Sequence, residues 1–154
     1  MSVQQPIIIR DAHRDDLETL ARWAEAMALE TESKTLAAAI VRAGIAAGID
    51  DPAKARYLVA ELDGSAVGTL MLTTEWSDWR CGWWWWIQSV YVAPEGRRRG
   101  VYSALYRHVE AQAKAATGVC GIRLYVENDN ARAQATYAAL GMDDAHYRVF
   151  ERAL

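Results

Sequence analysis

Residues 82–106, GWWWWIQSVYVAPEGRRRGVYSALY, pass from a strand to a helix through one short loop. The run of large strand-forming residues stops at APEG. From Arg98 to about Ala116 the apolar positions Val101, Ala104, Leu105 and Val109 then recur at helical spacing. A strand that hands over to a helix in this way aims the unpaired N–H groups of the first helical turn at a point beyond the sheet. The positive end of the helix dipole points there too, and phosphate oxygens bind readily at such a point. Gly100 allows close approach to the backbone, and Arg97, Arg98 and Arg99 add charge-assisted donors. Taken alone, the segment is equally readable as a solvated basic helix start. It is not a Walker loop, because the spacing and the Lys-Ser/Thr ending are missing, and the glycine set of a dinucleotide-binding turn is absent too.

The remaining chain supplies a sheet for that strand and helices to cover it. PIIIR (6–10) reads as a first strand, and residues 15–30 and 32–48 read as two helices, the first with Asp15 and Glu18 as a capping box. Residues 55–62 and 66–76 flank Asp63-Gly64, the signature of a tight hairpin. After the Trp-rich strand and its helix come a strand at 121–127, a helix at 130–141 and a last strand at 146–151. The expected order is β-α-α-β-β-β-α-β-α-β: an α/β chain (mixed α+β) with one central mixed sheet flanked by helices, in a single domain spanning 1–154.

Composition narrows the function classes. A net charge of −3 over 154 residues disfavours a nucleic-acid binder, and no apolar run approaches the ~20 residues of a membrane span. The N-terminal stretch has no basic region followed by a long apolar one, and two cysteines are too few for a metal framework. A cytoplasmic protein without a metal is therefore expected, with no nucleic-acid or membrane partner. His13, His108 and His146 show no metal spacing.

A second constellation lies in LYVENDNARAQATYAALGM (124–142). Asn130 can cap a helix on which Tyr137 sits two turns later, although a plain N-cap and a packing tyrosine would look the same. Together the two segments resemble the acetyl-CoA-binding half of the GNAT superfamily of N-acetyltransferases. The family's Gln/Arg-x-x-Gly-x-Gly/Ala motif falls on Arg97, Gly100 and Tyr102, and its Asn-x-x-Ala-x-x-x-Tyr pattern on Asn130, Ala133 and Tyr137. The resemblance covers roughly residues 55 to 151.

The resemblance implies an acetyl-CoA co-substrate. Its pantetheine arm would bind along the strand at Val90, Tyr91 and Val92 and near Asn130. Its pyrophosphate would lie over Arg97, Arg98, Arg99, Gly100, Val101, Tyr102 and Ser103. It also implies direct attack of a primary amine on the thioester through a tetrahedral species, with a strand N–H near Val90 holding the oxyanion. Tyr137 would donate to the departing thiolate, since a phenol titrates near ~10 and a thiol near ~8.5. Two departures stand out. Tyr102 replaces a small residue, and Gln88 and Ser89 occupy strand positions where many relatives carry a carboxylate base. Glu75, Asp78, Glu127 or a water chain are the candidates for that task, with water relayed to Glu75 or Glu127 the preferred route. A non-catalytic acyl-CoA-binding domain of the same fold is the alternative.

The acceptor is less legible. Six of the seven tryptophans lie between 76 and 86, interleaved with Glu75 and Asp78, which suits a cationic amine with an apolar body. Trp76, Asp78, Trp84, Trp86 and Gln88 are therefore the candidate acceptor contacts. In the strand, Trp83 and Trp85 fall on one face and Trp84 and Trp86 on the other, and a bulge near Gln88 would reset that parity for SVYV. An exposed Trp-bearing hairpin would also suit a homodimer contact.

Overall fold

The computed structural model describes residues 5–154, which form two compact units, one running through Leu124 and the other Tyr125–Leu154. The first unit holds β1 (Ile8–Asp11), α1 (Leu17–Glu32), α2 (Ala38–Asp50), β2 (Arg56–Leu62), β3 (Ser65–Ser77), β4 (Gly82–Val92), α3 (Val101–Ala115) and β5 (Val119–Arg123). The second holds α4 (Ala131–Ala139). The sheet runs in sequence order, with β1 to β4 antiparallel and β5 joining β4 in parallel. The expected mixed α/β architecture is thus present.

Local chemistry explains the elements. The β2–β3 turn closes with Leu62 opposite Ser65, and Asp63 and Gly64 both take positive φ (52° and 74°). That is the turn whose twist matches paired strands, which is why Asp-Gly marked it. The first helix is capped differently from the expectation. A 3-10 turn at Arg14–Asp16 precedes it, and Asp16 Oδ2, not Asp15, accepts the N–H of His13 at 2.7 Å. Asp16 is also gripped by both terminal nitrogens of Arg10 (2.8 and 2.9 Å), which makes it the better-fixed acceptor.

Each face of the sheet packs its own layer. Leu58, Leu70, Leu72 and Ile87 are buried, as are Val101, Leu105 and Val109 of α3. Gly68, which shares this face with Leu70 and Leu72, has Val101 Cγ1 within 2.8 Å of where a Cβ would stand. On the opposite face Val59 joins Leu20 and Ala21 of α1 and Ile45 of α2, with Trp23 and Tyr57 beside them. Burying one Leu- or Ile-sized side chain contributes about 1.5–3 kcal/mol, so these two layers hold the sheet between helices.

Two expected strands differ. β5 ends at Arg123 rather than 127, because its partner β4 is matched to it only from Trp83 to Trp86. The strand expected at 146–151 is absent from the described residues: positions 143–154 join no ladder. His146 sits at φ 58° with its N–H held by Asp144 Oδ1 at 2.7 Å, a local turn that breaks the extended path. High β-propensity does not make a strand without a partner edge.

Candidate active site

The site begins where β4 leaves β5. The parallel ladder ends at Trp86 opposite Arg123, while β4 continues to Val92. Beyond Trp86 no strand among the described residues covers that side of β4. In the same stretch the β3–β4 register skips: Met71 faces Gln88, Thr69 faces Tyr91, and two residues oppose Leu70. This is a β-bulge, with Ser89 at φ 49°. The bulge bends the strand and leaves a length of backbone able to pair with an extended guest.

The bulge also resets side-chain parity. Before it, Trp83, Trp85 and Ile87 pair with Trp76, Thr74 and Leu72 on the α3 face, while Trp84, Trp86 and Gln88 pair with Glu75, Thr73 and Met71 on the α1/α2 face. After it, Tyr91 pairs with Thr69 and packs toward α1, its ring 6.0 Å from that of Trp23. The two tryptophan pairs therefore have distinct surroundings.

From Val92 the chain enters a loop anchored on β3. The N–H of Ala93 donates to Val67 O (2.8 Å), and Gly96 sits so close to Val67 that a Cβ would stand 3.0 Å from the valine Cβ. Pro94–Gly96 form a 3-10 turn, Arg98 adopts φ 61°, and Gly100 caps α3 at φ 78°. The left-handed cap is why glycine is needed at 100; a Cβ there would meet no protein atom. No backbone acceptor among the described residues takes the N–H groups of Val101 or Ser103. Arg98 and Arg99 stand exposed beside them, with no ion-pair partner among the described residues. Anchored loop, left-handed cap, free amides and two cations together fit a pyrophosphate.

Arg97 behaves differently from its two neighbours. Its Nε donates to Val92 O at 3.0 Å and its Nη2 to Glu30 Oε2 at 2.9 Å. Tyr91 donates its hydroxyl to the other Glu30 oxygen at 3.2 Å, and the Arg97 guanidinium lies 5.7 Å from the centre of the Tyr91 ring. Burial, and then the Glu30 carboxylate, push the Tyr91 phenol above its ordinary value, so it stays protonated as a donor. Arg97 thus clamps loop to helix, while Arg98 and Arg99 face outward.

The other expected acceptor and base residues fall in separate places. Gln88 donates from Nε2 to Thr73 Oγ1 at 2.6 Å, on the α1/α2 face beside the bulge, with Trp86 on the same face. Trp84 carries the Arg123 guanidinium at 3.8 Å and that of Arg80 at 4.9 Å, so cations of the chain already stack on its ring. Glu75 accepts from Arg123 Nη1 at 2.7 Å. Being opposite Trp84, it stands about 16 Å of strand from Ser89, too far for direct contact with a group bound at the bulge. Trp76 and Asp78 lie farther out, at the hairpin tip, about 20 Å from the bulge.

In the second unit Asn130 is the N-cap of α4, its Oδ1 accepting from the N–H of Ala133 at 3.1 Å. Gln134 donates to the carbonyls of Glu127 (3.0 Å) and Asn128 (2.9 Å), and the exposed Glu127 belongs to that turn. Tyr137 is half-buried on α4. Among the described residues no three His, Cys, Asp or Glu side chains come together as a metal site would require. Sequence reasoning passed over Glu30, 67 residues from its partner, and Arg123, whose role depends on a β4–β5 register that no local pattern reveals.

Comparison with known proteins agrees with this geometry. The chain belongs to the acetyltransferase (GNAT) family, whose model matches residues 15–142 and so spans both units. Among solved structures it is similar to a possible acetyltransferase from Clostridium difficile 630, at 39% identity, over 96% of this chain and 97% of that one, with a TM-score of 0.90. It shares the fold of a transcriptional regulator from Bacillus halodurans C-125 (23% identity; 96% and 100% covered; TM-score 0.80). The same holds for AAC(6')-Iy in complex with the bisubstrate analogue CoA-S-monomethyl-acetylneamine (18% identity; 97% and 99% covered; TM-score 0.74). No curated protein sequence matches. Acetyl transfer is therefore the activity of the class, with acetyl-CoA the co-substrate its family uses.

Proposed function

We propose that this chain is an N-acetyltransferase that moves the acetyl group of acetyl-CoA to a primary amine of a small molecule or peptide by direct attack. The observation that carries this reading is the open side of β4 beyond Trp86, bulged at Ser89 and running directly into the Gly100-capped helix. Acetyl-CoA supplies a thioester whose carbonyl is open to an amine.

The chain's residues divide the remaining work. The β4 backbone at Val90, Tyr91 and Val92 binds the pantetheine arm by strand-like hydrogen bonds. Arg98, Arg99, Gly100, Val101, Tyr102 and Ser103 cradle the pyrophosphate, with Arg97 fixing the loop. A β4 N–H near Val90 polarises the carbonyl oxygen. Tyr137, on the motif that carries Asn130, donates a proton to the sulfur as it leaves. Trp86 and Gln88 are the acceptor contacts we retain, because they share the α1/α2 face beside the bulge. The amine's proton leaves through water, since Gln88 and Ser89 are not bases and Glu75 is ion-paired at a distance.

Two free thiols, Cys81 and Cys120, and the absence of any described helix long and apolar enough to cross a membrane are consistent with a cytoplasmic enzyme. The test is thiol release from acetyl-CoA with a panel of primary amines. Turnover with at least one amine supports the reading. Tight CoA binding without turnover on any amine favours the non-catalytic alternative, which the missing carboxylate at 88 and 89 keeps in play.

A further inference from the structure

β2 covers only part of the strand beside it. It begins at Arg56 opposite Leu72, whereas β3 runs on alongside β4 to Ser77. The chain leading into β2 does not fill the gap, because it is folded on Asp51. The Asp51 carbonyl accepts from the N–H groups of Lys54 (2.9 Å) and Ala55 (3.4 Å), and Asp51 Oδ1 accepts from the N–H of Ala53 at 3.0 Å. A cavity of about 430 Å³ is left between this turn, the end of α2 and the uncovered part of β3. That volume lies within the ~300–1,000 Å³ range of small-molecule sites.

The lining identifies the ligand. Ile49, Pro52 and Leu72 supply apolar surface, and the half-buried Tyr57 and Trp85 supply aromatic surface. The charged lining residues are Asp11, Lys54 and Arg56, two cations against one carboxylate. Lys54 is held by Asp51 of the turn. The Arg56 guanidinium is fixed on two sides: Nε donates to Asp11 Oδ1 at 2.7 Å and Nη1 to Gln112 Oε1 at 2.8 Å. Its Nη2 has no partner among the described residues. An oriented guanidinium with a spare N–H edge suits a carboxylate, and the aromatic lining suits a flat apolar body.

We propose that this cavity is a second ligand site that takes a small aromatic monocarboxylic acid, its carboxylate on Arg56 and its ring against Trp85. The site is separate from the thioester cleft. Leu72, Thr74 and Trp85 lie on the α3 face of the sheet, whereas Trp86 and Gln88 lie on the α1/α2 face. Trp85 also stands four residues before Ser89, about 13 Å of strand from the bulge. The inference stands independently of the acetyltransfer reading.

Calorimetric titration of the full chain with 3-phenylpropionate tests it. The acid is expected to bind with a Kd below about 1 mM, at least tenfold more tightly than its neutral isostere 3-phenylpropionamide. Arg56→Gln is expected to remove that preference. Ala53→Trp, which fills the cavity from an exposed turn, is expected to abolish binding with an unchanged far-ultraviolet circular dichroism spectrum and unchanged affinity for CoA. Saturating CoA is expected to leave the Kd of the acid within about twofold. Absence of binding in the millimolar range overturns the proposal, as does an amide that binds as well as the acid. Binding that survives Ala53→Trp, or that CoA displaces, overturns it too. A short peptide ending in phenylalanine that binds more tightly than the free acid overturns it in favour of a chain terminus.

Discussion

Glu30 holds Arg97 through Oε2 at 2.9 Å while its Oε1 accepts from Tyr91 at 3.2 Å, so a single carboxylate on α1 fixes both the end of β4 and the loop after it. The pair is about half exposed, and such a bridge contributes at most about 1 kcal/mol. Glu30→Gln keeps an acceptor but loses the charge. It is expected to raise the KM for acetyl-CoA about threefold to fivefold with little change in kcat. Steady-state kinetics with saturating amine check this. A fall in kcat alone would place Glu30 in the chemistry rather than in holding the loop.

Gly121 meets Trp84 so closely that a Cβ would fall against Cζ3 and stand 2.9 Å from Cε3. Gly121→Ala must therefore push the indole away from the Arg123 guanidinium stacked on it. Overpacking of this kind costs about 1–3 kcal/mol, which urea unfolding will report. A Trp84→Leu change in the same chain is expected to recover much of the loss, because the smaller side chain vacates the space.

Gly100 at φ 78° combines two demands, the left-handed cap of α3 and a small residue beside the amides of its first turn. Gly100→Val imposes about 1–2 kcal/mol of backbone strain and shifts those amides. Affinity for CoA is expected to fall at least tenfold in calorimetric titration. Arg98→Ala and Arg99→Ala are expected to weaken binding less each, and with a smaller effect at high salt.

The strand-loop-helix core of this site was legible in the sequence because its signals are local. Pro94, Gly96 and Gly100 punctuate the chain, and Asp63-Gly64 fixes the neighbouring hairpin. What depends on register was not legible. The bulge at Ser89 decides which face Tyr91 takes, and only the pairing with Thr69 reveals it. Glu30 and Arg123 act through partners 67 and 48 residues away, and no pattern along the chain announces such pairs. The strand expected at 146–151 failed for the same reason: HYRVFE has strand composition, but composition cannot supply a partner edge.

Tyr137 is the acid we propose for the departing thiolate. Tyr137→Phe removes only the hydroxyl and leaves the ring on α4. It is expected to lower kcat by one or more decades with CoA affinity within about twofold, the usual weight of a single positioned acid. An unaltered rate with the best amine would remove Tyr137 from the mechanism while leaving the binding reading intact.

The Arg10–Asp16 pair gives the fold a pH dependence that can be signed. Hydrogen bonds from Arg10, together with the His13 N–H, hold the Asp16 carboxyl below its ordinary value, near ~3.9. The unfolded chain therefore takes up the Asp16 proton at a higher pH than the folded one. The stabilisation is fully present above the unfolded value and is lost as pH falls through the folded one. Arg10 also donates from Nε to Glu61 Oε1 at 2.7 Å, which keeps the guanidinium in place as Asp16 titrates. Asp16→Asn is expected to be less stable than wild type at pH 7. The gap should narrow as pH drops from about 5 toward 2, since wild type then carries a neutral group there as well. Urea midpoints of both proteins across that range will measure the convergence. A gap that is constant with pH would assign the contribution of Asp16 to its hydrogen bond with His13 rather than to its charge.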